Sequence, residues 1–271
     1  MTLEPEILPP LLPTEEEQAA AAQKKIWNGP GLLDALAFFT IAIFLMLSIQ
    51  GGGAALALHW HLFGRETLQQ IAEQPRFTIP VMGISYGCIF LIALLLFPRA
   101  WNRPFAQGVC WNFSTARSQA GKLILAGIAL AAAIQLASNY LPVPKELPVD
   151  DFFRTPLDAW IVALFGTLVA PAFEELAFRG FLYPALRRWM GTILAAVLTS
   201  IPFALLHAQQ LAHAASPLVM VFLVSLVLTA VRQRTGSVAA SALVHATYNL
   251  SIFLVVFSAS GGFTHLERLR N

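Results

Sequence analysis

Charge is what this 271-residue chain has least of: Asp, Glu, Lys and Arg make up 12% of it and 57% is hydrophobic, whereas soluble domains carry about one-quarter charged residues. That deficit excludes a soluble globular domain and predicts an integral membrane protein. Cysteine is scarce too. Cys88 and Cys110 are the two present, which argues against a disulfide framework and supplies no metal-ligand spacing. The net charge is +2, and the basic residues are spread beside apolar runs, so no patch for nucleic acid is expected. There is no H-E-x-x-H, the helical signature of many zinc proteases. Residues 1–29 contain Glu4, Glu6 and the run Glu15-Glu16-Glu17 but no apolar core of a signal peptide, so the first span is expected to be an uncleaved anchor.

What is present is a series of long apolar runs. Ala37 to Leu58, Phe77 to Phe97, Leu123 to Leu141, Met190 to Leu211 and Ser237 to Phe257 contain no Asp, Glu, Lys or Arg. Each can cross a hydrocarbon core of about 30 Å as a helix. Pro217 to Val231 reads as a slightly short span, and the stretch from Trp160 towards Leu182 as another. The expected fold is all-α: a polytopic transmembrane bundle of about seven spans around a buried polar active-site cavity. Residues 1–30, with Pro9, Pro10 and Pro13, are expected to be a flexible cytoplasmic tail. Residues 31–150 would hold three spans, 155–257 a core domain, and 258–271 a short C-terminal tail. Arg99, Arg103, Arg117 and Lys122, then Arg187 with Arg188, and Arg232 with Arg234 mark alternate loops as cytoplasmic. Seven crossings leave the C-terminus outside, against the mild inward pull of Arg268 and Arg270.

The polar residues inside the spans carry the functional signal. Glu174 and Glu175 lie side by side at a depth where carboxylates are costly, which marks a functional site. Arg179 stands four residues after Glu175 on the same helical face, a pairing that would brace the helix. Glu174 is turned about 100° away and stays available. His207 follows Phe203 at the same four-residue spacing, so the Phe203 ring can shield the imidazole. Asn249 follows His245 likewise. Counted at 1.5 Å per residue from the cytoplasmic ends, Glu174 lies about 20 Å deep, His207 about 25 Å, and His245 to Asn249 about 14 to 20 Å. All sit in one mid-membrane layer. Pro171 and Pro202 should each kink a helix and free a carbonyl, and Tyr183-Pro184 is a place where the Glu174 helix could close early.

Peptide hydrolysis needs a base for water, donors for an oxyanion and an acid for the leaving amine. Glu174, desolvated and uncommitted to Arg179, suits the base. His207 suits a second hold on the water and later proton delivery, and His245 with Asn249 suits the oxyanion site. Glu175, Arg179 and Phe203 would be supporting residues. Glu174-Glu175-x-x-x-Arg179, Phe203-x-x-x-His207 and His245-x-x-x-Asn249, in this order on successive apolar helices, resemble the motif set of the CAAX-processing and bacteriocin-processing family of intramembrane proteases, which includes the type II CAAX prenyl endopeptidases. The resemblance covers roughly residues 155 to 257. It implies the same roles at the same positions, and an intramembrane endopeptidase acting on membrane-associated, C-terminally lipidated peptides. It also implies a multi-pass protein of the inner membrane, were the source bacterial.

Two questions stay open at this level. Glu174, His207 and His245 would make a catalytic zinc set with Glu175 as base, while a metal-free glutamate mechanism is slightly favoured because Asn249 makes better sense as an oxyanion donor. A non-proteolytic scaffold or bacteriocin-immunity protein of the same fold is the alternative function. A proton-coupled transporter is disfavoured, because no paired broken spans mark two repeated halves. Expected partners are a peptide or protein substrate and the bilayer.

Overall fold

In the computed structural model the residues described are 14, 29–64, 66–142, 144 and 147–269. The expected flexible tail, apart from Thr14, Gly29 and Pro30, lies outside them. Among the described residues the secondary structure is helical, with no strand. The long helices are α1 (Leu32–His59), α2 (Pro75–Trp101), α3 (Ala120–Ser138), α4 (Pro156–Leu206), α5 (Ala215–Thr235) and α6 (Val238–Ala259), all long and apolar enough to cross a membrane.

Six runs rather than seven appear because the fourth and fifth expected spans are one. At 1.5 Å per residue a 51-residue α4 would be more than twice the length a bilayer needs. It is folded back instead at Gly191, whose φ of 74° and ψ of −178° lie outside helical space. Glycine alone adopts that backbone without a Cβ clash. Among the described residues there are thus six helices long and apolar enough to cross a membrane, one of them bent back at Gly191 into the two arms that the sequence shows as separate runs. Contrary to the expectation from Tyr183-Pro184, Pro184 does not end the first arm of α4. Residues Leu176–Leu182 take a π-helical turn, with the Tyr183 N–H reaching Phe178 O five residues back, and the wider coil moves aside the carbonyl that the Pro184 ring would strike. Conversely α4 stops at Leu206 instead of Leu211, and α5 is longer than Pro217 to Val231. Arg232 and Arg234 fill its last turn, favourable for the helix dipole, and Gly236 closes it in the left-handed region at φ 64°.

Contacts between loops sort the two faces. Arg188 Nη2 donates to Gly29 O at 2.9 Å, Ser237 Oγ to Asn112 O at 2.9 Å, and Val238 N to Cys110 O at 2.9 Å. The start of α1, the 102–119 connection, the Gly191 bend and the α5–α6 turn thus share one face, which bears the basic residues. The other face joins Val149 N to Gln210 O at 3.1 Å and Arg76 to Asp158 at 3.5 Å. Phe263 packs on Ala159 and Ala163 beside the start of α4, and its ring meets Trp160 at 5.3 Å. The C-terminal stretch therefore lies at the end of the bundle opposite the basic loops, and Arg270 lies outside the described residues.

The core is aromatic on one side and small on the other. Phe38 of α1 stacks on Phe181 of α4 at 4.2 Å, within a cluster that includes Phe97, Trp101, Phe105 and Phe203. On the far side α3 rests against α6 at Gly127, where an added Cβ would lie 2.7 Å from both Val244 O and Thr247 Cβ. Such close approach of small residues is how helices gain van der Waals contact in lipid. It also holds the segment bearing His245. Substituting Gly127→Ala should lower the thermal midpoint in detergent, because overpacking costs about 1–3 kcal/mol against a helix-propensity gain of at most about 1 kcal/mol. Gly121→Ala on the same helix, where a Cβ meets nothing within 4 Å, should be neutral or stabilising. Equal midpoints for the two variants would discard this account of the α3–α6 contact.

Candidate active site

Arg179 is completely buried, and every nitrogen of its guanidinium is committed. Nη1 donates to Glu175 Oε1 at 2.8 Å, Nη2 to Ser225 O and Oγ at 2.7 Å each, and Nε to Thr229 Oγ1 at 3.3 Å. Ser225 Oγ in turn reaches Ser200 Oγ at 2.9 Å. The Phe203 ring lies 4.6 Å from the guanidinium carbon, a cation–π contact strengthened by desolvation. One side chain thereby ties the first arm of α4 to its second arm and to α5. Sequence reasoning does not single out Ser200, Ser225 or Thr229. Their only signal there is a pair of hydroxyls one helical turn apart in an apolar helix.

Glu175 shares its Oε1 with a second partner, His245 Nδ1, at 3.2 Å. A carboxylate can only accept, so Nδ1 carries the proton and the other ring nitrogen faces away from Glu175. That nitrogen, Nε2, lies 3.9 Å from Glu174 Oε2. The two glutamates therefore bracket one imidazole: Glu175 sets its orientation and Glu174 faces its free edge. The Glu174 side chain keeps 18% of its surface exposed, unlike its sealed neighbour. Tyr86 of α2, which the sequence pattern also leaves unmarked, stacks on Phe173, the residue before Glu174, at 3.7 Å.

Asn249 and His207 are each tied down by a carbonyl that a helix left unpaired. Residues Phe165–Val169 are π-helical, and the Ala170 N–H goes to Phe165 O. Gly166 O would then need the N–H of residue 171, which is proline and has none. Asn249 Nδ2 takes that place at 2.7 Å. The freed carbonyl expected near Pro171 is thus real, and it positions a candidate oxyanion donor from α6. A Cβ at Gly166 would meet the Phe253 ring at 2.9 Å, so a side chain there would require that ring to shift. At the end of α4 the His207 N–H turns to Ala204 O at 3.0 Å, freeing Phe203 O, which accepts from His207 Nδ1 at 2.9 Å. Nε2 of His207 is left as the acceptor. Both imidazoles pack on the Phe203 ring, at 5.2 and 5.9 Å between centroids.

The metal reading fits less well. Among the described residues no three of His, Cys, Asp and Glu are gathered as metal ligands, so Glu174, His207 and His245 do not form a ready donor set. A cavity of about 570 Å³ lies between α2, the 102–119 connection and the first arm of α4, and its walls are apolar, including Tyr86, Phe90, Trp111, Leu168, Phe173 and Leu176. Phe173 and Leu176 flank the glutamate pair in sequence, so an apolar chamber adjoins the carboxylates.

Residues 156–251 match the family described as type II CAAX prenyl endopeptidase, Rce1-like. No curated protein and no solved structure matches the chain. All seven motif residues fall inside the matched stretch.

Arg179→Met alone should lose about 3–5 kcal/mol, the cost of leaving Glu175 buried without its counter-charge. Glu175→Leu combined with Arg179→Met should lose less than that single change, because no uncompensated charge remains. Chemical unfolding of the detergent-solubilised chain reads the difference, and a double variant less stable than both singles would refute charge pairing as the main reason these two residues need each other.

Proposed function

We propose, from the premise that residues 156–251 belong to the CAAX-processing and bacteriocin-processing family at its type II CAAX prenyl endopeptidase branch, that this chain hydrolyses peptide bonds of C-terminally lipidated, membrane-associated substrates through a water activated by Glu174. The observation that carries the reading is the approach of Glu174 Oε2 to His245 Nε2 at 3.9 Å, with Glu175 holding the far edge of the same ring.

In this mechanism Glu174 takes a proton from water as the water oxygen attacks the scissile carbonyl carbon. His207, whose Nδ1–H is spent on Phe203 O, offers Nε2 as a second acceptor to orient that water. The carbonyl oxygen gains negative charge. Asn249 has one N–H on Gly166 O and a second to give. His245 donates from Nε2 only as the imidazolium, since its Nδ1 proton is held by Glu175, and the two glutamates supply the compensating charge. The proton collected by Glu174 then passes to the leaving nitrogen as the C–N bond breaks. Fixed donors in a water-poor site strengthen each of these contacts.

The neighbouring apolar chamber of about 570 Å³ supports a lipidated substrate. Its size falls in the range of small-molecule pockets, and its aromatic walls suit a hydrocarbon chain whose attached peptide would lie towards Glu174.

Glu174→Gln should reduce cleavage of a lipidated reporter peptide in proteoliposomes by about a hundredfold to ten-thousandfold while leaving the thermal midpoint within a few degrees. The same peptide without its lipid should be cut more slowly by the unaltered chain. Undiminished cleavage by Glu174→Gln would reject the base assignment, and cleavage by neither protein would favour a non-proteolytic scaffold.

A further inference from the structure

The bend of α4 carries an arrangement that peptide hydrolysis does not use. Arg232, on α5, is only 5% exposed, and its Nε is sealed from water without a hydrogen-bond partner. Its terminal nitrogens are the end that a ligand can reach. Arg187, one turn after Tyr183 on α4, is exposed. Among the described residues no carboxylate lies within ion-pair distance of either arginine. The Tyr183 hydroxyl donates to Gln233 Oε1 at 2.7 Å, which joins the turn of α4 that carries Arg187 to the turn of α5 that carries Arg232. Arg188 takes no part, because it is engaged with Gly29 O. A buried cation with an unmet donor is costly, and with an exposed arginine on the adjoining turn and no acid at ion-pair distance the pair invites an anion.

The surroundings say what kind. Trp189 is 77% exposed and Ile193 82% exposed, on either side of the Gly191 turn. Bulky apolar side chains set outward beside arginines mark the boundary between hydrocarbon and headgroups, where tryptophan anchors. Guanidinium forks match the oxygens of a phosphate, and basic pockets between membrane helices on the positively charged side take acidic headgroups.

We propose that Arg187 and Arg232 form a binding site for the phosphate of an acidic phospholipid headgroup, seated between α4 and α5 at the Gly191 bend. The lipid clamps the two helices that Arg179 joins deeper in the membrane, and it stands apart from the substrate chamber on the other side of α4. The proposal does not depend on the protease reading.

The test is thermal unfolding of the full chain in neutral detergent, with added dioleoylphosphatidylglycerol, dioleoylphosphatidylcholine or inorganic phosphate at matched concentrations. Phosphatidylglycerol should raise the midpoint several degrees beyond phosphatidylcholine. Arg187→Gln and Arg232→Gln should each abolish that excess, while Arg234→Gln, an exposed charge on the last turn of α5, should keep it. Arg187 is exposed, so its variant remains informative even if Arg232→Gln fails to fold. No excess for phosphatidylglycerol, an excess that survives Arg187→Gln, or an equal loss in Arg234→Gln would overturn the site. Inorganic phosphate matching the lipid would assign it to a free anion and overturn the lipid.

Discussion

A guanidinium sealed inside a bundle of apolar helices must have every donor satisfied by protein, and Arg179 meets that demand by drawing in Glu175, Ser225 and Thr229, with Ser200 behind them. The rest of the site depends on this one constraint. Because the charge cannot be left bare, the first arm of α4 cannot slide or rotate relative to α5 without stranding it. Glu175 is thereby held at one register, and through Glu175 the His245 ring of α6 is held too. A buried ion pair is weak evidence for stability in general. Here its consequence is positional: it converts the packing of four helical segments into the orientation of a single imidazole.

A second device works with missing hydrogen bonds. Pro171 withholds an N–H from Gly166 O, and the helix end at Leu206 withholds one from Phe203 O. In lipid each such carbonyl must find a donor. The donors found are Asn249 and His207, two of the residues proposed for catalysis. The π-helical turns on both sides of Glu174 and Glu175 belong to the same economy of donors, since they shift the backbone pattern by one residue around the carboxylates. Irregular backbone at this depth is tolerated because side chains from neighbouring helices complete it.

How much of this can be read from the chain follows from which interactions are local. The apolar runs show the bundle, and the four-residue spacing of Glu175 and Arg179 shows their pairing, because both are properties of one helix. The bend at Gly191 is legible only as a gap between two spans. The partners Ser200, Ser225 and Thr229 come from elements whose facing sides no single-chain pattern declares. Tyr86 is further still, since it reaches the site from α2 across more than eighty residues of sequence. Pro184 misleads for a related reason: a proline signal describes an α-helix, and the π turn before it changes the geometry that the rule assumes.

Charge balance around His245 links the architecture to the chemistry. Glu174 and Glu175 bring two negative charges into a volume where hydrocarbon opposes any net charge, and Arg179 neutralises only one. With Nδ1–H committed to Glu175, a neutral His245 would point its Nε2 lone pair at Glu174 Oε2 3.9 Å away, two acceptors facing each other without a donor between them. A proton placed between them removes the repulsion. Carried on the ring, it gives His245 a donor for an oxyanion and leaves Glu174 ionised for the base role proposed above. In the proposed mechanism that ring proton serves the oxyanion while the proton Glu174 takes from water serves the leaving nitrogen, and the separation of Glu174 from Arg179 is what leaves the carboxylate able to take it.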